Sequence, residues 1–178
     1  AEALTNIVFA PLEKGLESIS LSANWMWPCN NPGEDARLYD AVEECSDFAI
    51  ALGINIPTGK DSLSMKQKYP DGDVLAPGTV IISAAGQCDD VKNIITPVAT
   101  PDGGELYYLD FAQDEFHLGG SSFAQTLDKI GNETPSVQDA AYFKTAFNTL
   151  QEFIKKGSFT AGHDIGSGGL ITTLLEMC

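Results

Sequence analysis

Positive charge is scarce: ten lysines and arginines stand against twenty-five aspartates and glutamates, a formal net charge of −15 at pH 7. Such a surface repels the phosphates of nucleic acid and of anionic lipid, and no basic run offsets it locally, so neither is an expected partner. The acidity reads two ways, as a source of oxygen ligands for divalent cations or as an ordinary solubilising surface. Cysteine is sparse too. Cys29, Cys45, Cys88 and Cys178 are scattered without a C-x-x-C pair or a histidine cluster, which excludes the familiar zinc and dithiol patterns and suits reduced thiols. No apolar run approaches the length of a membrane span, and no basic stretch leads into an apolar one as in a secretory signal. A cytoplasmic setting is expected.

A P-loop is missing as well, although GKDSLSM at residues 59–65 looks like the lysine end of one. Gly53 and Gly59 are separated by five residues, Pro57 removes an N–H donor, and Asp61 stands where a hydroxyl residue holds magnesium.

What is present is an ordinary globular composition, 43% hydrophobic and 20% charged over 178 residues, enough for one large domain or two small ones. ALTNIVFAPL suggests a short helix closed by Pro11, and ESISLSANWMW alternates as a strand that Pro28 ends. Asp35 is a candidate helix cap. After it Leu38, Ala41, Val42, Cys45, Phe48, Ala49 and Leu52 recur at helical spacing up to Gly53. INIPTGKDSLSM reads as extended chain around a turn, and GTVIISAAGQC as a buried strand. Between Asp89 and Gly104 prolines, glycines and aspartates accumulate, the best candidate for a domain boundary. Beyond it ELYYLDF and FTAGHDI read as strands, LGGSSFAQTLDKI as a glycine-led helix start, and Phe143, Ala146, Phe147, Leu150, Phe153 and Ile154 as one helical face closed by Gly157. The tight turn GSGG and a final helix LITTLLEM follow. Alternating strands and helices predict a mixed α/β, or α+β, protein. The chain opens on Ala1 and stops inside a helical pattern without a cap, which leads to the expectation of a piece of something longer.

The strongest chemical constellation is GHDIGSGGL at residues 162–170, a carboxylate at a strand end followed by glycines where a helix begins. Backbone N–H groups and the helix N-terminus favour an anion, and Asp164 can hold a bridging Mg²⁺; the plain alternative is a helix start whose glycines serve only the turn. His163 reads more simply as a packed, hydrogen-bonded residue than as a catalyst. LGGSS at 118–122 is a second glycine-and-hydroxyl helix start, where Gly119, Gly120 and Ser121 suggest a phosphate contact. Glu2 and Asn6, four residues apart, share a helix face and offer two oxygens to one hard cation, a commonplace spacing on its own. Lys60 and Asp61 are expected together in a turn, for a phosphate and a metal or as a surface ion pair.

Read together, AEALTNI, SLSANWMWP, PGEDARLYDAV, GINIPTGKDSLSM, GTVIISAAGQCDDV, LGGSSFAQ and AGHDIGSGGLITTLLEM resemble, in colinear order from end to end, the large single-chain formylglycinamide ribonucleotide amidotransferases of purine synthesis. More distantly they resemble the aminoimidazole ribonucleotide synthetase superfamily, which includes small-molecule kinases and cyclo-ligases. The resemblance implies a synthetase-like fold in which residues 1–92 are the later part of an N-terminal-type, nucleotide-binding domain and 93–178 the first part of a C-terminal-type domain, both incomplete. It implies ATP-dependent amination of formylglycinamide ribonucleotide with ammonia from glutamine. The glutaminase lies in a separate domain, so no catalytic residue is assigned here and the four cysteines are left as packing residues. The family's Mg²⁺ positions fall on Glu2, Asn6 and Asp164, and its nucleotide contacts on Lys60, Asp61, Gly166 and Ser167, with GKDSLSM a strand and turn bordering the nucleotide groove. One departure is plain: the family's HD-x-S-D-G-G-L has Gly166 and Ser167 at its fourth and fifth positions here, which puts the serine's nucleotide contact in question. In such enzymes the second domain pair, which this chain is similar to, is associated with a tightly held structural ATP or ADP. Three functions therefore stand: a contribution of Mg²⁺ and nucleotide groups to the ligase, a non-catalytic scaffold, or a related superfamily member acting as a small-molecule kinase or cyclo-ligase. The expected partners are nucleotide, formylglycinamide ribonucleotide and the remaining domains of the same polypeptide. The excised piece is expected to be inactive alone and to self-associate through uncovered apolar surface.

Overall fold

Ile19, Leu21 and Ala23 alternate with polar residues, and that period of two is realised in strand β1 (Ile19–Met26), which buries all three. In this computed structural model, which describes residues 1–101 and 103–178, β1 is the middle strand of a three-stranded sheet ordered β2-β1-β5. Asp102, within the expected boundary stretch, lies outside the described residues. Helix α2 (Glu34–Leu52) provides the crossover that lets β2 (Asn55–Ser62) run parallel to β1, and β5 (Thr79–Gly86) closes the other side antiparallel. Strands β3 (Lys66–Tyr69) and β4 (Gly72–Leu75) form a separate hairpin that the sequence reading did not anticipate.

Several expectations change here. Lys60 and Asp61 are not in a turn: the parallel ladder with β1 keeps them extended, opposite Asn24 and Trp25. Consecutive strand residues face opposite sides of a sheet, so the two side chains diverge, and the Lys60 ammonium instead reaches Ser62 Oγ at 3.2 Å. Strand β5 is not buried, because it occupies a sheet edge; Ile81 is 51% exposed. Asp35 does not cap α2. Gly33 holds the cap position with φ +82°, while Asp35 lies in the first turn and its carboxylate accepts from the N–H of Ala36. At the other end Gly53 adopts φ +77° and donates its N–H to the carbonyls of Ala49 and Ile50, the left-handed termination its lack of a Cβ permits. Of the apolar stripe on α2, only Ala49 and Leu52 are fully buried.

By its contacts the chain divides into two compact units, Glu17–Gly86, which holds the elements above, and Ala1–Leu16 together with Gln87–Cys178. The discontinuous unit contains α1 (Glu2–Ile7), α3 (Ser122–Thr126), α4 (Ala140–Lys155) and α5 (Gly169–Glu176). Asp139 caps α4, accepting from the N–H groups of Ala141 and Tyr142. Phe143, Phe147, Leu150 and Ile154 form its buried face, and from the chain start Leu4, Val8, Leu12 and Leu16 are each buried to 2% exposure or less. Backbone bonds from Glu13 to Gln87 (2.9 Å) and from Asp89 to Pro11 (2.8 Å) tie the two sequence pieces together. Gln151, 3% exposed, sits among the apolar residues of α4 for a definite reason: its amide donates to Val8 O (2.5 Å) and Ala10 O (3.1 Å) and accepts from Leu12 N–H (2.8 Å).

The expected strands ELYYLDF and FTAGHDI are not strands in this unit. Residues 105–111 and 158–165 join no ladder, and no backbone–backbone hydrogen bond reaches 105–109 among the described residues. Alternation gives a segment the side-chain pattern of a strand, but a strand exists only where a neighbour supplies the ladder.

Candidate functional site

Two short links fix the segment before α5. Gly162 donates its N–H to Thr96 O at 3.1 Å and lies flush against the Phe9 ring, into which a Cβ would project. That close approach sets His163 and Asp164 beside α1. Asn6 Nδ2 donates to Asp164 Oδ1 at 3.4 Å, joining residues 158 apart in sequence. From the other side His163 Nδ1 lies 3.3 Å from the same Oδ1, while His163 Nε2 lies 3.2 Å from Glu176 Oε2 on α5. The Asp164 backbone carbonyl is held as well, by Thr173 Oγ1 (3.2 Å) and by His163 Nδ1 (2.9 Å).

Asp164 is therefore clamped through one carboxylate oxygen. Its Oδ2, and Oδ1 of Asn6, have no hydrogen-bond partner among the described residues. Glu2, one helical turn before Asn6 on α1, is exposed, and its carboxylate makes no bond or ion pair with a described residue. No group of three or more His, Cys, Asp or Glu side chains among the described residues is arranged as a metal cage. The donor set is nevertheless all oxygen, and Mg²⁺ commonly takes only one or two carboxylates while water and phosphate complete its octahedron. Asp164, Asn6 and Glu2 suit a metal–phosphate complex better than a metal held by protein alone.

A cavity of about 250 Å³ adjoins this cluster, lined by Thr5, Phe9, Glu105, Tyr107, His163 and Asp164 among others. It is smaller than the usual small-molecule pocket, so it has room for part of a nucleotide only. A larger groove of about 830 Å³ lies between residues 107–111 and α4, and none of the candidate metal, nucleotide or phosphate residues lines it. Beside the cavity the Tyr107 hydroxyl donates to the Glu105 carboxylate, and that bond pushes its ionisation up; burial, and then the Asp110 charge, does the same for Tyr108.

The two glycine-rich turns meet. Ser122 N–H donates to Ser167 O at 3.1 Å, and the two hydroxyls are 3.3 Å apart. At 118–122 the donors expected for a phosphate are engaged: Gly119 N–H with Glu133 O, Gly120 N–H with Ile130 O, both at 2.8 Å, and Ser121 N–H with Leu118 O at 3.1 Å. Ser121 Oγ caps α3 by accepting from Ala124 N–H. Gly166 has open space where a Cβ would be, so the lack of a side chain there is not a packing requirement. Lys60 and Asp61 belong to the Glu17–Gly86 unit and are exposed on β2. Sequence reasoning missed Thr173 and Glu176. Their i, i+3 spacing on the last helix placed them on one face, but nothing local showed that this face meets His163 and Asp164.

Among known proteins, residues 1–87 match the family of FGAR-AT PurM_N-like domains. Over 99% of its length the chain is 42% identical to the probable phosphoribosylformylglycinamidine synthase, chloroplastic/mitochondrial, of Arabidopsis thaliana. It is 39% identical to the phosphoribosylformylglycinamidine synthase of Dictyostelium discoideum and 40% identical to that of Homo sapiens, again over 99% of the chain. The chain is thus homologous throughout to one segment of the phosphoribosylformylglycinamidine synthases, and it spans 13% of the length of each of these relatives. No helix among the described residues is long and apolar enough to cross a membrane.

Proposed function

We propose that this chain is a segment of a phosphoribosylformylglycinamidine synthase and contributes Mg²⁺- and nucleotide-holding groups to an ATP- and glutamine-dependent ligase that converts formylglycinamide ribonucleotide to its amidine. The observation that carries this reading is the meeting of Asn6 and Asp164, two residues with no local reason to be neighbours. In this reading residues 1–92 are the later part of the N-terminal-type domain and 93–178 the first part of the C-terminal-type domain, each completed by the remaining polypeptide. A cytoplasmic setting, with Cys29, Cys45, Cys88 and Cys178 as free thiols, belongs to the same proposal.

Asp164 through its unpaired Oδ2 and Asn6 through its Oδ1 would hold the metal–phosphate complex, with Glu2 as a further carboxylate from the same face of α1. Magnesium held there neutralises charge on phosphoryl oxygens. The clamp on Asp164 Oδ1 means the carboxylate need not reorganise when the complex arrives. Ser167 offers a hydroxyl one position beyond Gly166. Gly119, Gly120 and Ser121 take a phosphate only after releasing their present carbonyl partners.

The test is nucleotide retention by the complete polypeptide, counted by chromatography after denaturation. Asp164→Asn keeps the shape and removes the charge; it is expected to lose most of the bound nucleotide. Retention at the wild-type stoichiometry with unchanged stability would contradict the assignment. Gly166 favours a second reading, a scaffold whose nucleotide is bound once and never turned over, since the family's serine hydroxyl is missing there. Radiolabelled ATP separates the two: label that fails to enter this site during turnover supports the scaffold, and label that exchanges supports direct participation.

A further inference from the structure

We infer that Glu176 is a positioning residue, which through His163 orients the Asp164 carboxylate for a divalent cation; this rests on the proposal that Asp164 holds the metal. His163 spans two carboxylates with its two ring nitrogens, Nε2 to Glu176 Oε2 at 3.2 Å and Nδ1 to Asp164 Oδ1 at 3.3 Å. Its side chain is 22% exposed and that of Asp164 16%, whereas Glu176 is 57% exposed. The chain of contacts therefore runs from a solvent-facing carboxylate on α5 inward to the functional one.

The geometry gives this relay a specific consequence. The torsion about a carboxylate's Cβ–Cγ bond is broad and two-fold, so a contact that fixes one oxygen fixes the plane and with it the direction in which the other oxygen points. Asn6 from α1 and His163 from the preceding residue both converge on Oδ1, which leaves Oδ2 as the free oxygen. His163 is held at its near nitrogen by the Asp164 backbone carbonyl at 2.9 Å, and among the described residues Glu176 is the side chain at its far nitrogen. The groups around the ring are accounted for: Asp164 and Glu176 are its charged neighbours, Asn6 and Thr173 the polar groups on Asp164, and Thr5, Phe9 and Tyr107 line the adjoining cavity. A partner that orients a ligating carboxylate from outside the coordination sphere commonly changes metal affinity by about 10-fold to 100-fold. Glu176 lies too far out along this chain to be a ligand beside Oδ2 itself, since His163 stands between them.

The test is Mn²⁺ titration of the complete polypeptide in the presence of ADP, read by the loss of the free-ion electron paramagnetic resonance signal, with Asp164→Asn as the variant that isolates this site's contribution. Glu176→Ala is expected to weaken binding roughly 10-fold, while Glu176→Gln, whose amide offers Nε2 both an acceptor and a donor, recovers most of it. This rescue sets positioning apart from a general charge effect, because alanine and glutamine remove the same charge. Equal affinity for wild type and Glu176→Ala overturns the inference, and so does an equal loss in the alanine and glutamine variants. Should Glu176→Ala fail to fold, Glu176→Asp decides: its carboxylate falls one methylene short of His163, so weakened binding supports the relay and unchanged binding overturns it. Mn²⁺ binding that Asp164→Asn leaves untouched, or no binding at all, removes the metal site and the relay with it. Sensitivity to Asp164→Asn combined with indifference to Glu176→Ala removes the relay alone.

Discussion

Residues 17–86 combine strand ladders with helix α2, whereas residues 1–16 and 87–178 hold α1, α3, α4 and α5 and, among the described residues, no strand ladder. In the first unit β1 is paired on both sides, and the positions around it tolerate exposure: most of β2 and β5 faces solvent. In the second, burial concentrates on α4, and Gln151 performs the joining that a sheet register performs elsewhere. The lesson is one of redundancy. A ladder spreads its stabilisation over many equivalent bonds, while a helix packed on an irregular chain depends on single residues.

Three measurements break or sharpen that contrast. The largest effect is expected from Phe147→Ala, which empties a fully buried ring position on α4 and is expected to cost about 3–5 kcal/mol in urea denaturation. A smaller truncation at the sheet edge, Val80→Ala at a position 37% exposed, is expected to cost less than about 1 kcal/mol; similar values at both sites would erase the distinction. Next comes Gln151→Leu. It fills the space but leaves Val8 O, Ala10 O and Leu12 N–H without their partner, for a loss of roughly 2–3 kcal/mol. Amide exchange is expected to rise at Leu12 and Asp89 while β1 stays protected.

The smallest effect is local and depends on pH. The Ser136 N–H donates to Asp114 at 2.9 Å and holds that carboxyl below the usual carboxylate range, helped by nearby His117. A folded-state value below the unfolded one means that the contribution is complete above the unfolded carboxylate range, near about 4, and is lost as pH falls through the depressed folded value. Protection of the Ser136 amide relative to its intrinsic exchange rate is expected to fall on acidification through that range, and Asp114→Asn to abolish the dependence. Acceleration on raising the pH from neutrality, beyond that of intrinsic exchange, would carry the opposite sign.

The helices were legible where their signals were local. The stripe through Phe143, Phe147, Leu150 and Ile154, the stop at Gly53 and the alternation of Ile19, Leu21 and Ala23 depend on residues within a few positions of one another. Asp35 was misread because an acidic residue suits the first turn of a helix as well as its cap, and Gly33 took the cap by adopting a positive φ. ELYYLDF was misread because alternation is a property of the segment and a ladder is a property of two. The site divides the same way. Glu2 with Asn6 and the glycines around Asp164 each suggested oxygen and anion chemistry by themselves, but only the likeness to a known family joined them before the fold did. The roles of Thr173 and Glu176 had no local sign, since both act on residues held across the unit by chain geometry.

The central claim is that Asn6 and Asp164 face one metal–phosphate complex, and anomalous diffraction from crystals of the complete polypeptide grown with Mn²⁺ and ADP tests it most directly. The account predicts a single manganese peak within about 2.0–2.2 Å of both Asp164 Oδ2 and Asn6 Oδ1, bridged to the phosphates. Manganese bound to the nucleotide elsewhere, with both side chains turned to water, would contradict it.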